Sequence, residues 1–489
     1  MRLFGRDRIY ADPVTITRDN IVEILNEALQ AHRFNAKNID YLRRYIRGDQ
    51  PVLRREKRVR KDICNNIVVN LAADVVNFHR GYCFGEPVTI CRRAGTKETG
   101  GVEEFNDFMA EQDYDNVVME LANDMLVVGI GALAILPNTN RTEKSPFNVL
   151  ALDPATAFVI YSNDIYRKPL LGVTFCTHAD RSCTYTAYTA DKRFELTSDV
   201  GDSGLRVTDE SYNGIGAIPI VEYAMLDFSG VFEKALPLLD ALNLVTSDRV
   251  DDNAQAVQSL LWLSNADITD EDLQKLDDLL AIKTSDSGDG RQANVKYVSQ
   301  PLDQTSVQAL ETSIEKHILS LCGVPGREQS SGGSTGTAAQ IGSAGWKLAE
   351  YAAKQIEGSF KKGNRRMFDV ALHIIAATKD VSPSVSSLRV GDFETKLPRN
   401  KMDGGISKSQ VLLNFITAGV HPRIAFRECD CFHDAEQVYQ DSKPYIEMAL
   451  ARMGGQPESK ENGDVSNQPR GEDGLEKTMN ARSYVQKRD

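Results

Sequence analysis

The chain has no surplus of positive charge: 57 Lys and Arg stand against 69 Asp and Glu, a net charge of −12 over 489 residues. A net acidic chain is not expected to coat a nucleic acid along its whole surface, which leaves room for one basic face or a DNA-facing channel. Cysteine is sparse. Cys64, Cys83, Cys91, Cys176, Cys183, Cys322, Cys429 and Cys431 are scattered, which excludes a disulfide scaffold and suits a reducing compartment. The longest apolar run, Met125 to Leu136, contains two glycines and falls well short of the ~20 residues that span a bilayer. No apolar stretch follows Met1-Arg-Leu-Phe-Gly-Arg-Asp-Arg8, so a soluble, intracellular chain without a secretory signal is expected. No Gly-Lys-Ser/Thr closes a phosphate loop, and Gly129-Ile-Gly131 runs on to Ala134 without a dinucleotide fingerprint. No nucleotide cofactor is expected.

With 41% hydrophobic and 26% charged residues the chain is ordinary globular material. Its length predicts about three domains, or one core with large insertions. Ile21, Val22, Leu25, Ala28 and Leu29 recur at helical spacing, as do Tyr41, Leu42 and Tyr45. Further helices are predicted over 65–81 and 102–136. Between Asn148 and Tyr223 the texture changes to short β-branched and aromatic runs separated by Asp, Gly, Ser and Pro, the pattern of antiparallel strands. Helix is predicted again from Glu233 to Leu263, with Pro237 in its first turn or at a kink. Short strands are predicted at 280–283 and 295–298. Thr305 and Gln308 suggest a capping box opening a helix striped by Val307, Leu310, Ile314, Ile318 and Leu321. From Thr337 a helical pattern continues for about forty residues, roughly 60 Å, with Gly342, Gly345, Gly358 and Gly363 predicting kinks or close contacts. A strand is predicted over 388–393. From about Gly454 the composition predicts disorder.

Gly323 to Gly336 holds five glycines and no apolar period, and is read as a mobile loop. Its Gly332-Gly-Ser334-Thr-Gly336 formally matches a nucleophile elbow, but polar Arg327-Glu-Gln-Ser-Ser331 cannot be the buried strand that lifts such a serine. Cys429-Asp-Cys431-Phe-His433 lacks the matching half of a structural zinc site, so no metal is expected. Basic residues cluster at Arg54, Arg55, Lys57, Arg58, Arg60 and Lys61. Without interleaved aromatics this run is read as a solvated face or a subunit contact rather than a nucleic-acid site. The acidic counterpart, Asp248 to Asp289, holds eleven Asp and Glu against Arg249, Lys275 and Lys283, a local balance of −8.

The order of elements carries more than any motif. A helix, a small acidic strand-containing insertion, a returning helix, a glycine loop and a very long helix describe a hairpin-like stalk with a tip, and a loop at its base. Four blocks in this order resemble the portal proteins of tailed bacteriophages, in the branch common in long-tailed phages of Gram-positive hosts. They are Asn65–Asn70 through Gly81-Tyr-Cys-Phe-Gly-Glu-Pro-Val-Thr-Ile90; Ile218-Pro-Ile-Val-Glu-Tyr223 running into Leu238–Asn243 and Ser247-Asp248; Leu321-Cys-Gly-Val-Pro325 with the Ser/Gly segment and long helix; and Leu397-Pro-Arg-Asn400 with Gly404–Ser409. Ala224-Met225, where many relatives carry Asn, and Pro237 in the first stem helix depart from the pattern.

The resemblance implies an α+β, mainly helical portal fold, typically twelve subunits in a ring around a DNA tunnel. It divides this chain into an N-terminal wing (1–230), stem helices (231–265 and 304–322), a clip (266–303), a tunnel loop (323–336), a long wing helix and strand (337–401), a crown (402–451) and a tail (452–489). It implies a non-enzymatic channel at one capsid vertex for packaging and ejecting double-stranded DNA, assembled in the host cytoplasm. Implied partners are terminase, major capsid protein, scaffolding protein and a head–tail adaptor, with no membrane. Arg327, Gln329, Ser330, Ser331, Gly332, Gly333, Ser334, Thr335 and Gly336 would face DNA. Asp248, Asp251, Asp252, Asp267, Asp270, Glu271 and Asp272 would form an acidic surface that repels the duplex. The basic run, with Lys361, Lys362, Arg365 and Arg366, would contact neighbouring subunits. Competing readings are a non-portal helical adaptor or scaffold, and a serine hydrolase at Ser334.

Overall fold

The computed structural model describes residues 5–58, 61–93, 101–140, 142–198, 204–257, 260–264, 266–267, 285–286, 294–298, 304–326, 336–379, 381–399, 405–429, 431–432 and 435–454. The chain divides into two compact units, Met1–Gln410 and Val411–Asp489. In order it runs β1 (Ile9–Ala11), α1 (Ile21–Ile46), α2 (Leu71–Phe84), β2 (Thr89–Arg92), α3 (Gly101–Glu111) and α4 (Tyr114–Val128). Eight strands follow: β3 (Ile130–Pro137), β4 (Phe147–Leu152), β5 (Ala157–Ser162), β6 (Pro169–Thr177), β7 (Cys183–Tyr188), β8 (Lys192–Ser198), β9 (Arg206–Tyr212) and β10 (Ile220–Ala224). Then come α5 (Leu236–Val257), β11 (Leu260–Ser264), β12 (Ala266–Asp267), β13 (Ser285–Asp286), β14 (Asn294–Val298) and α6 (Gln304–Leu321). The chain continues through α7 (Gly336–Ala377), α8 (Pro383–Ser386), β15 (Phe393–Lys396), α9 (Gly405–Thr417), α10 (Pro422–Glu428) and α11 (Ala435–Gly454).

Six strands form a sheet ordered β1-β5-β6-β7-β8-β9, in which β1 joins β5 in parallel and the other pairs are antiparallel. This is the β-rich region expected after Asn148. A smaller sheet, β10-β3-β4, packs against α4 and α7. Helix α7 is 42 residues long, about 60 Å at the α-helical rise. Its buried Ala349, Ala353, Ile356, Phe360, Met367, Ala371 and Ile374 recur at spacings of three, four and seven, so one stripe faces the core along several turns. At Gly363 a Cβ would stand 2.2 Å from Cδ1 of Tyr223. The expected close contact is there, and it brings β10 against the α7 backbone. Beside it, fully buried Asn364 accepts hydrogen bonds from Tyr223 Oη (2.8 Å) and Tyr114 Oη (3.1 Å), and its Nδ2 donates to Thr395 Oγ1 (3.2 Å). One amide thereby ties α4, α7, β10 and β15.

Several boundaries differ from the sequence expectation. The apolar run Met125–Leu136 is helix only to Val128. Gly129 adopts φ +78° and its N–H donates to Met125 O, capping α4 before β3 begins. Residues 65–70 form neither helix nor strand, and α2 starts at Leu71. Past Val257 the chain enters β11 instead of continuing as helix to Leu263, while Pro237 lies in the first turn of α5. In place of a strand over 388–393 there is a 3₁₀ turn at Val390–Asp392, followed by β15. The strand expected at 280–283 lies outside the described residues, while β14 covers the one at 295–298. In the second unit α10 packs on α11, with Phe426 stacked on Phe432 at 5.3 Å and edge-on to Tyr439 at 6.0 Å. Among the described residues no helix is long and apolar enough to cross a membrane.

Candidate functional site at the base of the helical hairpin

Helices α5 and α6 pack side by side, and β11 pairs antiparallel with β14 beyond them, Leu260 opposite Val298 through Ser264 opposite Asn294. The insertion foreseen in the sequence thus leaves and returns through one two-stranded ladder. Between the helices Arg249 donates from Nε to Gln304 Oε1 (3.0 Å) and pairs with Glu311 (2.5 Å).

The other side of α5 holds an extended strap. Asn243, Ser247 and Asp251 stand four residues apart on one helix face, each fully buried. They accept backbone N–H bonds from Val69 (2.7 Å), Ile67 (3.0 Å) and Asn65 (2.7 Å), in reverse order. The match is geometric: four helical residues advance about 6 Å, close to the ~6.6 Å covered by two residues of extended chain. Helix and strap therefore stay in step over two helical turns. Gln50 closes the row, donating to Tyr45 O and Asn70 Oδ1 (3.1 Å each) and accepting from Asn243 Nδ2 (2.5 Å).

Asp251 is the charged member. Burial opposes its ionisation, but hydrogen bonds from Lys57 and from Asn65 (backbone N–H and Nδ2) outweigh that and bring its pKa down to about 2. Arg55 bridges Asp251 (3.1 Å) and Asp248, and Lys57 pairs with Asp251 at 2.7 Å. This corrects the acidic-surface expectation at Asp251. The residue faces its own chain because the strap delivers two cations and two N–H donors to it. Asp248 is half-exposed but shares Arg55, and Asp252 is exposed. Asp267 lies in β12, and Asp270, Glu271 and Asp272 fall outside the described residues.

At the foot of α6, Gly323 (φ +69°) donates to Ser320 O (3.2 Å) and Val324 donates to Leu319 O (2.8 Å), a Schellman cap. A Cβ on Gly323 would stand 2.9 Å from Ala352 Cβ on α7. Buried His79 on α2 donates from Nε2 to Cys322 O (2.7 Å), and burial lowers its pKa. The root of the glycine segment is thus clamped between α2 and α7. Arg327, Gln329, Ser330, Ser331, Gly332, Gly333, Ser334 and Thr335 lie outside the described residues, and Gly336 opens α7.

The basic residues separate. Arg54 pairs with Asp49, and Lys361 with Glu357 one turn away (2.6 Å), so with Arg55 and Lys57 four of them have partners in their own chain. Arg58, Lys61 and Arg365 are exposed, and Arg60 lies outside the described residues. Lys362 and Arg366 line a separate cleft with Arg8 and Glu222, a grouping the sequence did not reveal because its members come from distant segments. Of the Cys/His run, Cys429 is buried and donates to Phe426 O (3.2 Å), and His433 lies outside the described residues. Among the described residues no cluster of three or more His, Cys, Asp or Glu is arranged to hold a metal.

The chain thus carries a helical hairpin held by an N-terminal strap, followed by a glycine segment and a 42-residue helix. The profile of the family described as "Phage portal protein, SPP1 Gp6-like" matches residues 26–403, well over half of the chain, and the chain belongs to this tailed-phage portal family. Curated proteins give no match.

Proposed function

We propose that the chain is the subunit of a ring at one capsid vertex, through which DNA is packaged and ejected. The observation that supports it most is the order α5, β11–β14 ladder, α6, glycine segment, α7 inside a family match over 26–403. In this reading α5 and α6 are the stem, residues 266–303 the clip, 323–336 the tunnel loop, α7 the wing helix and 402–451 the crown. The ring, typically twelve-fold in the family, is the platform for terminase, capsid, scaffolding and head–tail adaptor proteins. The portal reading assigns the chain no catalytic step of its own.

Apolar side chains support the ring. Leu244 and Val250 on α5, and Leu310 and Leu321 on α6, are 36–52% exposed in the single chain. Exposed apolar surface of this kind on the two helices gains from burial against a neighbouring subunit, by about 25 cal/mol per Å² of apolar area removed from water. Passage of DNA needs a wall that does not hold it, because each neutralised phosphate releases counterions and adds affinity. With Asp248 and Asp251 paired inside the chain, that repulsion rests on Asp252 and the acids of 267–289. The tunnel loop, with Arg327, Ser330, Ser331, Ser334 and Thr335, touches phosphates weakly while its glycines follow a moving helical surface. Deleting Gln329 to Thr335 tests this: rings should still form while packaging or retention of DNA fails. Normal packaging by that variant would contradict the assignment.

A further inference from the structure

One cleft is rich in positive charge although the chain as a whole is acidic. It lies between β1, the β5–β6 turn, β10 and the middle of α7, and its volume is about 460 Å³. Arg8, Arg167, Lys354, Lys362 and Arg366 line it, with Glu222 the one carboxylate among the lining residues. Arg8 and Arg366 both sit over the Tyr161 ring, 4.7 and 5.3 Å from its centroid, which keeps their guanidinium carbons within about 10 Å of each other. Arg366 donates to Tyr161 Oη (2.8 Å), and Arg8 Nε is buried without a hydrogen-bond partner. Glu222 accepts from Tyr161 Oη (3.3 Å), and neither guanidinium reaches it within 4.0 Å. Burial, then repulsion from Arg8 and Arg366, lowers the pKa of Lys362. Glu222 is attracted to Arg8, Arg366 and Lys362, but one carboxylate among five cations leaves a positive excess, which a further anion entering the cleft would offset.

The shape indicates what kind of anion. Lys354, Gly358, Lys362 and Arg366 stand four residues apart on one face of α7, so the charged stripe is about 18 Å long. A single phosphate engages one or two of these cations, whereas a chain of phosphates engages them all. Tyr10, 41% exposed, also lines the cleft with the Arg167 guanidinium 6.0 Å from its ring centroid, and a half-exposed ring beside a cationic groove is a stacking face for an unpaired base. An acidic peptide would match the cations but brings no base to stack on that ring, a difference that competition between peptide and strand reads.

We propose that this cleft is a nucleic-acid site, which takes the phosphodiester backbone of a single-stranded segment along α7 with a base on Tyr10. It goes beyond the channel reading, because a groove of five cations holds a strand rather than letting it slide.

The test is fluorescence anisotropy of a labelled single-stranded dT 20-mer on the full-length protein. Lys362→Gln/Arg366→Gln should weaken binding at least tenfold. Losing two phosphate contacts should also flatten the log K against log salt slope by about 1.4. Arg365→Gln, which removes the same charge from the adjacent exposed position, should leave affinity within twofold. If the double variant melts early, Lys354→Gln/Lys362→Gln, both at exposed positions, gives the same reading. Affinity unchanged in the cleft variants, or displacement of the oligonucleotide as readily by oligo-glutamate or pyrophosphate as by unlabelled strand, would overturn the proposal. Imaging the same samples keeps the two readings apart: intact rings without this affinity overturn the cleft assignment alone.

Discussion

Asn65 gives Asp251 both of its donors: its backbone N–H reaches Oδ1 at 2.7 Å and its Nδ2 reaches the same oxygen at 2.9 Å. The residues are 186 apart in sequence, and the contact fixes where the N-terminal strap ends along the first hairpin helix. Lys57 and Arg55 neutralise the carboxylate from the same strap. Asp251→Asn should cost about 3 kcal/mol of stability, the low end for breaking a buried ion pair because both cations remain partly exposed. Urea unfolding measures this, and a loss below about 1 kcal/mol would show that the strap is held otherwise.

The same carboxylate predicts an acid response. With its pKa down at about 2 against an ordinary 3.8, the unfolded chain binds the proton first as pH falls. The contribution of Asp251 is therefore complete above about pH 5 and is lost progressively as pH falls through 3.8 towards 2. Between pH 5 and 3 the urea midpoint of the unsubstituted protein should fall more steeply than that of Asp251→Asn. Parallel curves would contradict this.

Two glycines of α7 should respond with opposite signs. Alanine is worth about 1 kcal/mol over glycine inside a helix. At Gly358 a Cβ meets nothing within 4 Å, so Gly358→Ala should raise the melting temperature. At Gly363 the Cβ would collide with the Tyr223 ring, itself buried and hydrogen-bonded, so Gly363→Ala should lower it despite better propensity. Equal shifts would mean that β10 does not approach α7 this closely.

Asn364→Leu should be among the most damaging single changes in the core. It leaves Tyr114, Tyr223 and Thr395, all buried, without the partner they share. At about 1 kcal/mol or more for each stranded group, the loss should reach about 3 kcal/mol by chemical denaturation. A near-neutral result would show that these hydroxyls find other partners.

The long helix α7, the strand-rich region after Asn148 and the hairpin with its small insertion were legible because periodicity and turn residues are local signals. Gly129 was a readable stop signal, but the apolar run around it hid the change from helix to strand. The spacing of Asn243, Ser247 and Asp251 was equally visible. What it binds was not, because the donors lie on an extended segment far away in sequence. For the same reason Arg55 and Asp251 looked like two opposed charged surfaces instead of one internal pair. The cleft of Arg8, Lys362 and Arg366 exists only once β1, β10 and α7 are packed together.

In the proposed closed ring, the exposed apolar residues of α5 and α6 are covered by a neighbouring subunit. Light scattering combined with negative-stain imaging of the purified protein tests it most directly, with Leu310→Asp alongside. For twelve subunits of 54.1 kDa the account predicts an annulus of about 650 kDa, reduced to smaller species by Leu310→Asp. A stable monomer or dimer under all conditions, or rings unaffected by that substitution, would contradict it.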